Sequence, residues 1–499
     1  MAERSFKEQV KTLRLGAGET FYGENILAVT KALLECGVSY IGGYQGAPVS
    51  HLIDVFADAH DLLDELDINF ESSASEATAA AMLSASINYP MRGAVTWKST
   101  VGTNVASDAL ANLASSGVKG GALIILGEDY GEGASITQER THAFAMKSQI
   151  WLLDPRPDQT CIVNTVRQGF ELSEASNTPV MLMMRIRACH MHGQFPARDN
   201  IPATYSAAEA LANPKRDLSR IILPPATYLQ EQEKINERWP AAVQFVRDHQ
   251  LNETRPGKHD IGIVVQGGLF NATSRALAVL DHGDYFGNSD IPVYVLNCTY
   301  PLVSDEFEEF CNDKRGVLII EEGQPEFIEQ AVNTFLNKAR IGTKIHGKDF
   351  LPMAGEYTAG VIRHGIEQFI DKYLNNNVAE AVEYIPMKQL PLSNDLPTRP
   401  SGLCTGCPER PLFASMKLLE RELGPSHVSA DIGCNSFVTL PPFNMGASIM
   451  GYGLGSASSS ALDGSQNKRA IALMGDGGFW HNGLTSGISN AAFNQTDNV

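Results

Sequence analysis

Basic charge is scarce in this sequence. Its 499 residues carry 39 Lys and Arg against 57 Asp and Glu, for a net charge of -18. No Lys/Arg-rich run or aromatic-interleaved basic patch occurs, which argues against a nucleic-acid partner. Long apolar runs are missing too. The opening segment, MAERSFKEQVKTLRLG, is charged throughout and lacks the apolar core and small-residue cleavage site of a signal peptide, so a cytoplasmic location is expected. The longest uncharged stretch, 432–462, contains five Gly, Asn435, Asn444 and the pair Pro441-Pro442, too polar to cross a bilayer, and no membrane association is expected. Cysteine is sparse, at eight residues: Cys36, Cys161, Cys189, Cys298 and Cys311 stand alone, whereas Cys404, Cys407 and Cys434 fall near one another. In a reducing compartment such a cluster suggests metal before disulfide. No short repeat of solenoid period is present.

What is there alternates. The length exceeds one hydrophobic core and suggests about three domains. Between residues 20 and 190, VSYIGGYQGAP, GAVTWKS, GALIILGED and PVMLMMRIR read as strands, with SSASEATAAAMLSASI and NVASDALANLAS as helices between them. This order is that of a mainly parallel sheet with helices on its faces. Ligands meet such sheets at the loops after the strands, here 43–50, 98–104 and 127–140. A polar connector with a charged, exposed helix follows over 196–259. A second α/β unit then runs over 260–375, with IGIVVQGG, PVYVLNCTYP and GVLIIEEG as strands. An Asn- and Pro-rich linker (376–402) leads to a third unit, 403–499.

In that third unit, RAIALMGDGG reads as a strand entering a Gly turn, and GLTSGISNAAFNQ as a helix. Glycines admit backbone N–H groups close to phosphate oxygens, and a carboxylate can ligate magnesium beside phosphate and water. Asp476 is the candidate ligand, with Gly475, Gly477 and Gly478 around it, although Asp-Gly is also an ordinary turn. The segments LCTGCPERPLF, SADIGCNSF and MGDGGFWHNG resemble the alpha subunits of indolepyruvate:ferredoxin oxidoreductases, within the thiamine-diphosphate-dependent 2-oxoacid oxidoreductase superfamily.

The resemblance implies an α/β fold of three domains: pyrimidine-binding (1–195), a transketolase-C-like connecting domain (260–375) and diphosphate-binding (403–499). It adds Asp431 and Gly433 to the cofactor-binding residues. In that superfamily the Gly-Asp-Gly helix leads to a strand ending in Asn, the second magnesium ligand. Here Val499 only begins that strand and Asn498 comes too early, so the diphosphate domain is expected to be incomplete at its C-terminus.

SASEATAAAM matches the segment whose Glu contacts the coenzyme's pyrimidine, which assigns Glu76 as the catalytic carboxyl group. By sequence alone, a first-turn Glu favoured by the helix dipole reads equally well. In YQGAPVSH, Ala47 stands where relatives carry Thr, and Gln45 where they carry Pro, while Pro48 and Ser50 remain as cofactor contacts. KSTVGTN gives Lys98 and Asn104 as substrate candidates. GEGASITQER gives Gln138 and Arg140, the Arg suited to a bidentate carboxylate contact. Cys404, Cys407 and Cys434, with 26 residues between the last two, have the order of a 4Fe-4S site whose fourth thiolate lies further on; structural zinc or free thiols stay open. Glu321 and Glu322 look like a catalytic pair but fall in the connecting domain and are given no chemistry. His190 and His192 lack a third ligand.

The implied activity is oxidative decarboxylation of an aryl 2-oxo acid such as indolepyruvate or phenylpyruvate, with thiamine diphosphate, Mg2+ and a 4Fe-4S cluster. Electrons would go to ferredoxin or another acceptor, and the acyl group to coenzyme A or water. The implied partner is a smaller beta subunit, in a heterotetramer with a dimeric core. Two alternatives remain from the sequence: a non-oxidative thiamine-dependent decarboxylase, and a catalytically inert partner subunit.

Overall fold

The computed structural model describes residues 4–130, 141–323, 325–374, 402–462 and 468–499. They divide near residue 385 into two bodies, each taken by itself below.

The first body contains a seven-stranded sheet in the order Cys298–Tyr300, Trp151–Leu153, Val180–Arg185, Ala122–Glu128, Gly93–Lys98, Tyr40–Gly43, Asn69–Ser72. Its pairings are parallel except at Cys298–Tyr300, which runs antiparallel to Trp151–Leu153. Ala122–Glu128 and Val180–Arg185 are buried along their whole length, as expected for strands covered by helices on both faces, and this is why they read as unbroken apolar runs. A five-stranded sheet follows, in the order Lys344–His346, Gly316–Ile320, Ile261–Gln266, Val293–Leu296, Glu253–Arg255, with only the last antiparallel.

The segment PVYVLNCTYP, which reads as one strand, is two. Val293–Leu296 lies in the five-stranded sheet, and Cys298–Tyr300 forms the edge of the seven-stranded one. Asn297 is the switch between them. Its side chain donates to the Leu251 carbonyl (2.9 Å) and accepts from the Arg156 amide (3.0 Å), while its own carbonyl accepts from the Asp154 amide (2.8 Å). These bonds fix the chain where it leaves one sheet for the other.

The charged connector is not simply exposed. Ala226–Glu233, the wide turn Lys234–Arg238 and Trp239–Asp248 follow one another as a bulged helix. The buried Arg238 guanidinium donates to the carbonyls of Ala114, Ser115 and Ser116 at 3.0, 3.1 and 3.2 Å, so a cation occupies the negative end of helix Ser99–Ser116.

A second buried cation links the two sheets. Arg185 bonds Asp154 from the first sheet and Glu322 and Gln266 from the second. His142 packs its ring at a tilt against Phe327 (5.7 Å between ring centroids) and Tyr300 (6.4 Å).

The second body holds three parallel strands in the order Gly446–Ile449, Val428–Ala430, Ile471–Leu473, packed on helix Glu409–Leu423 through Phe413. Among the described residues no helix is long and apolar enough to cross a membrane.

Arg185 and His142 each set a measurable stability. Replacing Arg185 by Met strands two buried carboxylates and is expected to cost about 3–5 kcal/mol in denaturant unfolding. Burial holds His142 neutral down to about 4, whereas an unfolded His titrates near about 6.5. The unfolded chain therefore takes up this proton first, and the stability present above pH ~6.5 is lost as pH falls toward about 4. His142→Phe is expected to flatten that acid limb of a thermal-melting profile.

Candidate active site

In the first body, the ends of three neighbouring strands converge as a parallel sheet predicts. Gly46 is so close to Lys98 that a Cβ on it would come within 2.5 Å of the Lys98 Cβ. The Lys98 ammonium donates to the Ala47 carbonyl at 3.0 Å. Pro48 is buried against Gly127, where an added Cβ would come within 2.8 Å of the proline ring. Ser50 opens helix Ser50–Asp58 and is half-buried.

Glu76 is 3% exposed and is the first residue of helix Glu76–Met82. Ser75 starts that helix by accepting from the Thr78 amide (3.4 Å), while the Thr78 hydroxyl accepts from the Ser75 amide (3.1 Å), a reciprocal cap that leaves the next side chain to turn inward. The Glu76 side chain lies against Gly102, where a Cβ would approach its Cγ to 2.8 Å. A carboxyl group is thus buried at a helix N-terminus, where the dipole favours its charge.

The segment 98–104, read as a loop, is the start of helix Ser99–Ser116 with Lys98 as N-cap. Gly102 and Thr103 are drawn into the core, the Thr103 hydroxyl accepting from the Trp97 indole at 3.2 Å. Asn104 is therefore an exposed helical residue rather than a loop residue. Gln138 and Arg140 lie outside the described residues.

A cavity of about 310 Å3 opens beside the ends of Ala122–Glu128 and Val180–Arg185, with Tyr130, Arg185, Arg187, Glu322 and Glu356 in its wall. Two of its cations are already neutralised, Arg185 by Asp154 and Glu322, and Arg187 by Glu356. Glu321 accepts from the amides of Ile328 and Glu329 and so serves the start of a helix. His190 shares Glu24 with Arg4, at 3.5 and 2.8 Å, so a cation already occupies that carboxylate.

In the second body, Ile471–Leu473 ends just before Gly475, and helical structure starts at Asp476 and continues to Asn494. Asp431, 1% exposed, pins this turn: its carboxylate accepts from the Gly475 amide and from the Asn435 side chain, both at 3.3 Å. Burial raises its pKa in spite of these bonds. The glycines are required by close approach. A Cβ on Gly478 would lie 2.1 Å from an Asp431 oxygen, and one on Gly477 would lie 2.1 Å from the Tyr452 hydroxyl. Gly433 has φ +140° and Gly453 φ +79°, which side chains disfavour.

Sequence reasoning missed Glu409. Its Oε2 is buried with no hydrogen-bond partner among the described residues. Burial, then the charges of Asp431 and Asp476, push its pKa up. Glu409 therefore faces like charge from two acids of the glycine-turn region. The only local signal was an acid two residues after the Cys-x-x-Cys segment.

Cys404 and Cys434 are exposed and Cys407 is half-buried, all as free thiols. The Cys407 amide donates to the Cys404 carbonyl at 3.2 Å, and the Arg410 guanidinium donates to the same carbonyl at 3.0 Å. Partial burial, followed by the charges of Glu409, Cys407 and Cys404, raises the Cys434 pKa. Val499 pairs with Ala470 and Ala472 beside Ile471–Leu473, at 2.9 and 2.6 Å. The Asn498 side chain donates to Ser456 and Ser459 at 3.1 Å and is used in packing.

The family model for the C-terminal TPP binding domain of thiamine pyrophosphate enzymes matches residues 431–499. Curated relatives include indolepyruvate oxidoreductase subunit IorA of Methanothermobacter marburgensis, 27% identical over 97% of this chain and 74% of the relative. The subunit of the same name from Thermococcus kodakarensis is 27% identical over 95% of this chain and 74% of its own. Among solved structures, the 2-oxoglutarate:ferredoxin oxidoreductase of Magnetococcus marinus matches with a TM-score of 0.53 at 16% identity, over 70% of this chain and 65% of that one. That likeness is one of fold, a mixed α/β architecture with mainly parallel sheets.

Gly478→Ala drives a methyl group into Asp431 and is expected to destabilise the second body by about 1–3 kcal/mol. Gly475→Ala meets only the Asn435 side chain, at 3.4 Å, and is expected to leave stability unchanged. Denaturant unfolding of the two variants checks both.

Proposed function

The chain is a relative, over nearly its whole length, of the IorA subunits of indolepyruvate oxidoreductases, and from that premise we propose that it is the coenzyme-bearing subunit of an oxidoreductase acting on aryl 2-oxo acids of the indolepyruvate or phenylpyruvate type. The observation that carries this reading is Asp476, which opens a helix directly after a strand and a glycine turn, inside the segment matched by the thiamine pyrophosphate family model.

Bound thiamine diphosphate supplies the electron sink that a 2-oxo acid needs to lose carbon dioxide. Asp476 would ligate the magnesium ion that neutralises the diphosphate, with Glu409 adding negative potential. The turns of Gly433, Gly475, Gly477 and Gly478 leave room for the diphosphate oxygens, and Asp431 holds the Gly475 turn in shape. Glu76 would hold and move the proton at the pyrimidine ring; its burial keeps water from competing for that hydrogen bond. Pro48 and Ser50 shape the wall beside it. Lys98, tied to the Ala47 carbonyl, keeps the 44–48 turn closed, while the exposed Asn104, with Gln138 and Arg140, would orient the substrate carboxylate.

Cys404, Cys407 and Cys434 would hold three corners of a 4Fe-4S cluster that takes electrons singly and passes them to ferredoxin or a similar carrier. The neighbouring, unbridged thiols support this donor set. The acyl product would go to coenzyme A or water, and a smaller beta subunit would complete the enzyme around a dimeric core.

Anaerobically purified complex is expected to contain iron and acid-labile sulfide and to reduce a one-electron dye when given indolepyruvate or phenylpyruvate with thiamine diphosphate and Mg2+. Glu76→Gln is expected to lower that rate by about 10²–10⁴-fold while calorimetric binding of the coenzyme persists. An iron-free complex that decarboxylates at full rate without reducing the dye would replace this reading with the non-oxidative one.

A further inference from the structure

Away from all of these residues, the second sheet of the first body brings together two imidazoles and a carboxylate. His259 precedes strand Ile261–Gln266, His282 follows helix Phe270–Val279, and Asp290 precedes strand Val293–Leu296. His282 Nδ1 lies 3.0 Å from one oxygen of Asp290, and His259 Nε2 lies 3.5 Å from the other. The two rings meet edge to face with centroids 5.8 Å apart. One ligand atom from each residue falls within a 4.8 Å span.

The backbone fixes the arrangement independently. The Asp290 amide donates to the His282 carbonyl and the His259 amide to the Asp290 carbonyl, both at 3.1 Å. The Ser289 hydroxyl donates to the His282 carbonyl at 3.0 Å, and a bridge pairs Gly283 with Ser289. Among the described residues the ion-pair partners of Asp290 are these two imidazoles alone. All three side chains are partly exposed, so an ion has a path in.

We propose that His259, His282 and Asp290 form a binding site for a borderline transition-metal dication such as Zn2+ or Co2+, with water in the fourth position. Two imidazole nitrogens and one carboxylate oxygen suit such ions better than Mg2+ or Ca2+, which prefer all-oxygen shells, and three protein ligands fit a tetrahedral ion with one open place. The site lies at the amino-terminal ends of two adjacent parallel strands, whereas ligand chemistry in parallel sheets gathers at the opposite ends. Its role is therefore structural: the ion clips a helix end to the starts of two strands, raising the stability of the five-stranded sheet wherever the free ion exceeds its dissociation constant.

The test uses untagged chain carrying Cys404→Ser, Cys407→Ser and Cys434→Ser, which removes the competing thiols. Titration with Co2+ is expected to give visible d–d bands without a sulfur-to-cobalt charge-transfer band, saturating at one ion per chain, and Zn2+ is expected to raise the melting temperature. His282→Gln and, separately, His259→Gln are expected to weaken Co2+ binding by more than about tenfold and to abolish the Zn2+ shift, with melting in chelator close to the parent. Should either variant fail to fold, X-ray absorption of the Co2+ or Zn2+ form of the parent decides by showing a shell of two imidazoles with oxygen. Unchanged binding in both folded variants, absence of saturable Co2+ binding, or a shell without imidazole overturns the proposal.

Discussion

A charge removed from water must be met by hydrogen-bond donors or by an opposite charge, and this chain meets the requirement at the places where its parts are joined. Asp431 is nearly inaccessible, and the donors it finds include the Gly475 amide and the Asn435 side chain. Because one of those donors is the backbone of the turn that aims Asp476, the need to satisfy Asp431 fixes the geometry of the residue that matters for chemistry. The absence of a side chain at Gly478 follows from the same contact.

Arg185 and Arg238 solve the corresponding problem for cations. Arg185 is reached by carboxylates from two sheets, so neither sheet can shift without exposing or orphaning a charge. Arg238 stops a long helix by occupying its last carbonyls. That same helix begins beside Glu76 with Gly102 and Thr103 turned inward, so one element carries both the anchor of the connector and a wall of the buried carboxyl group. Glu409 is the contrasting case. Its buried oxygen has no hydrogen-bond donor among the described residues and feels the charges of Asp431 and Asp476 instead.

Strong periodic segments were legible from sequence. The runs at 93–98, 122–128 and 180–185 are buried strands because an apolar stretch bounded by turn residues has few other stable outcomes in a large chain. The Ser75–Thr78 region was legible as a helix start, and the glycine turn before Asp476 as a strand-to-helix junction. The split of 293–300 between two sheets was not, since it depends on what Asn297 finds around it, nor was the helical state of 98–104, where packing on Trp97 and Glu76 outweighs a run of β-branched and glycine residues.

By itself the sequence determined most of the strands and helices, where the thiols and the Gly-Asp-Gly turn fall, and which family the chain resembles, because periodicity and motif spacing are local properties. Only the tertiary structure decided that Asn498 is spent on serine contacts, that Glu409 feels the charges of Asp431 and Asp476, and that His259, His282 and Asp290 meet. Those facts concern residues far apart along the chain, and proximity between them comes from which strands pair and which buried charges must be satisfied.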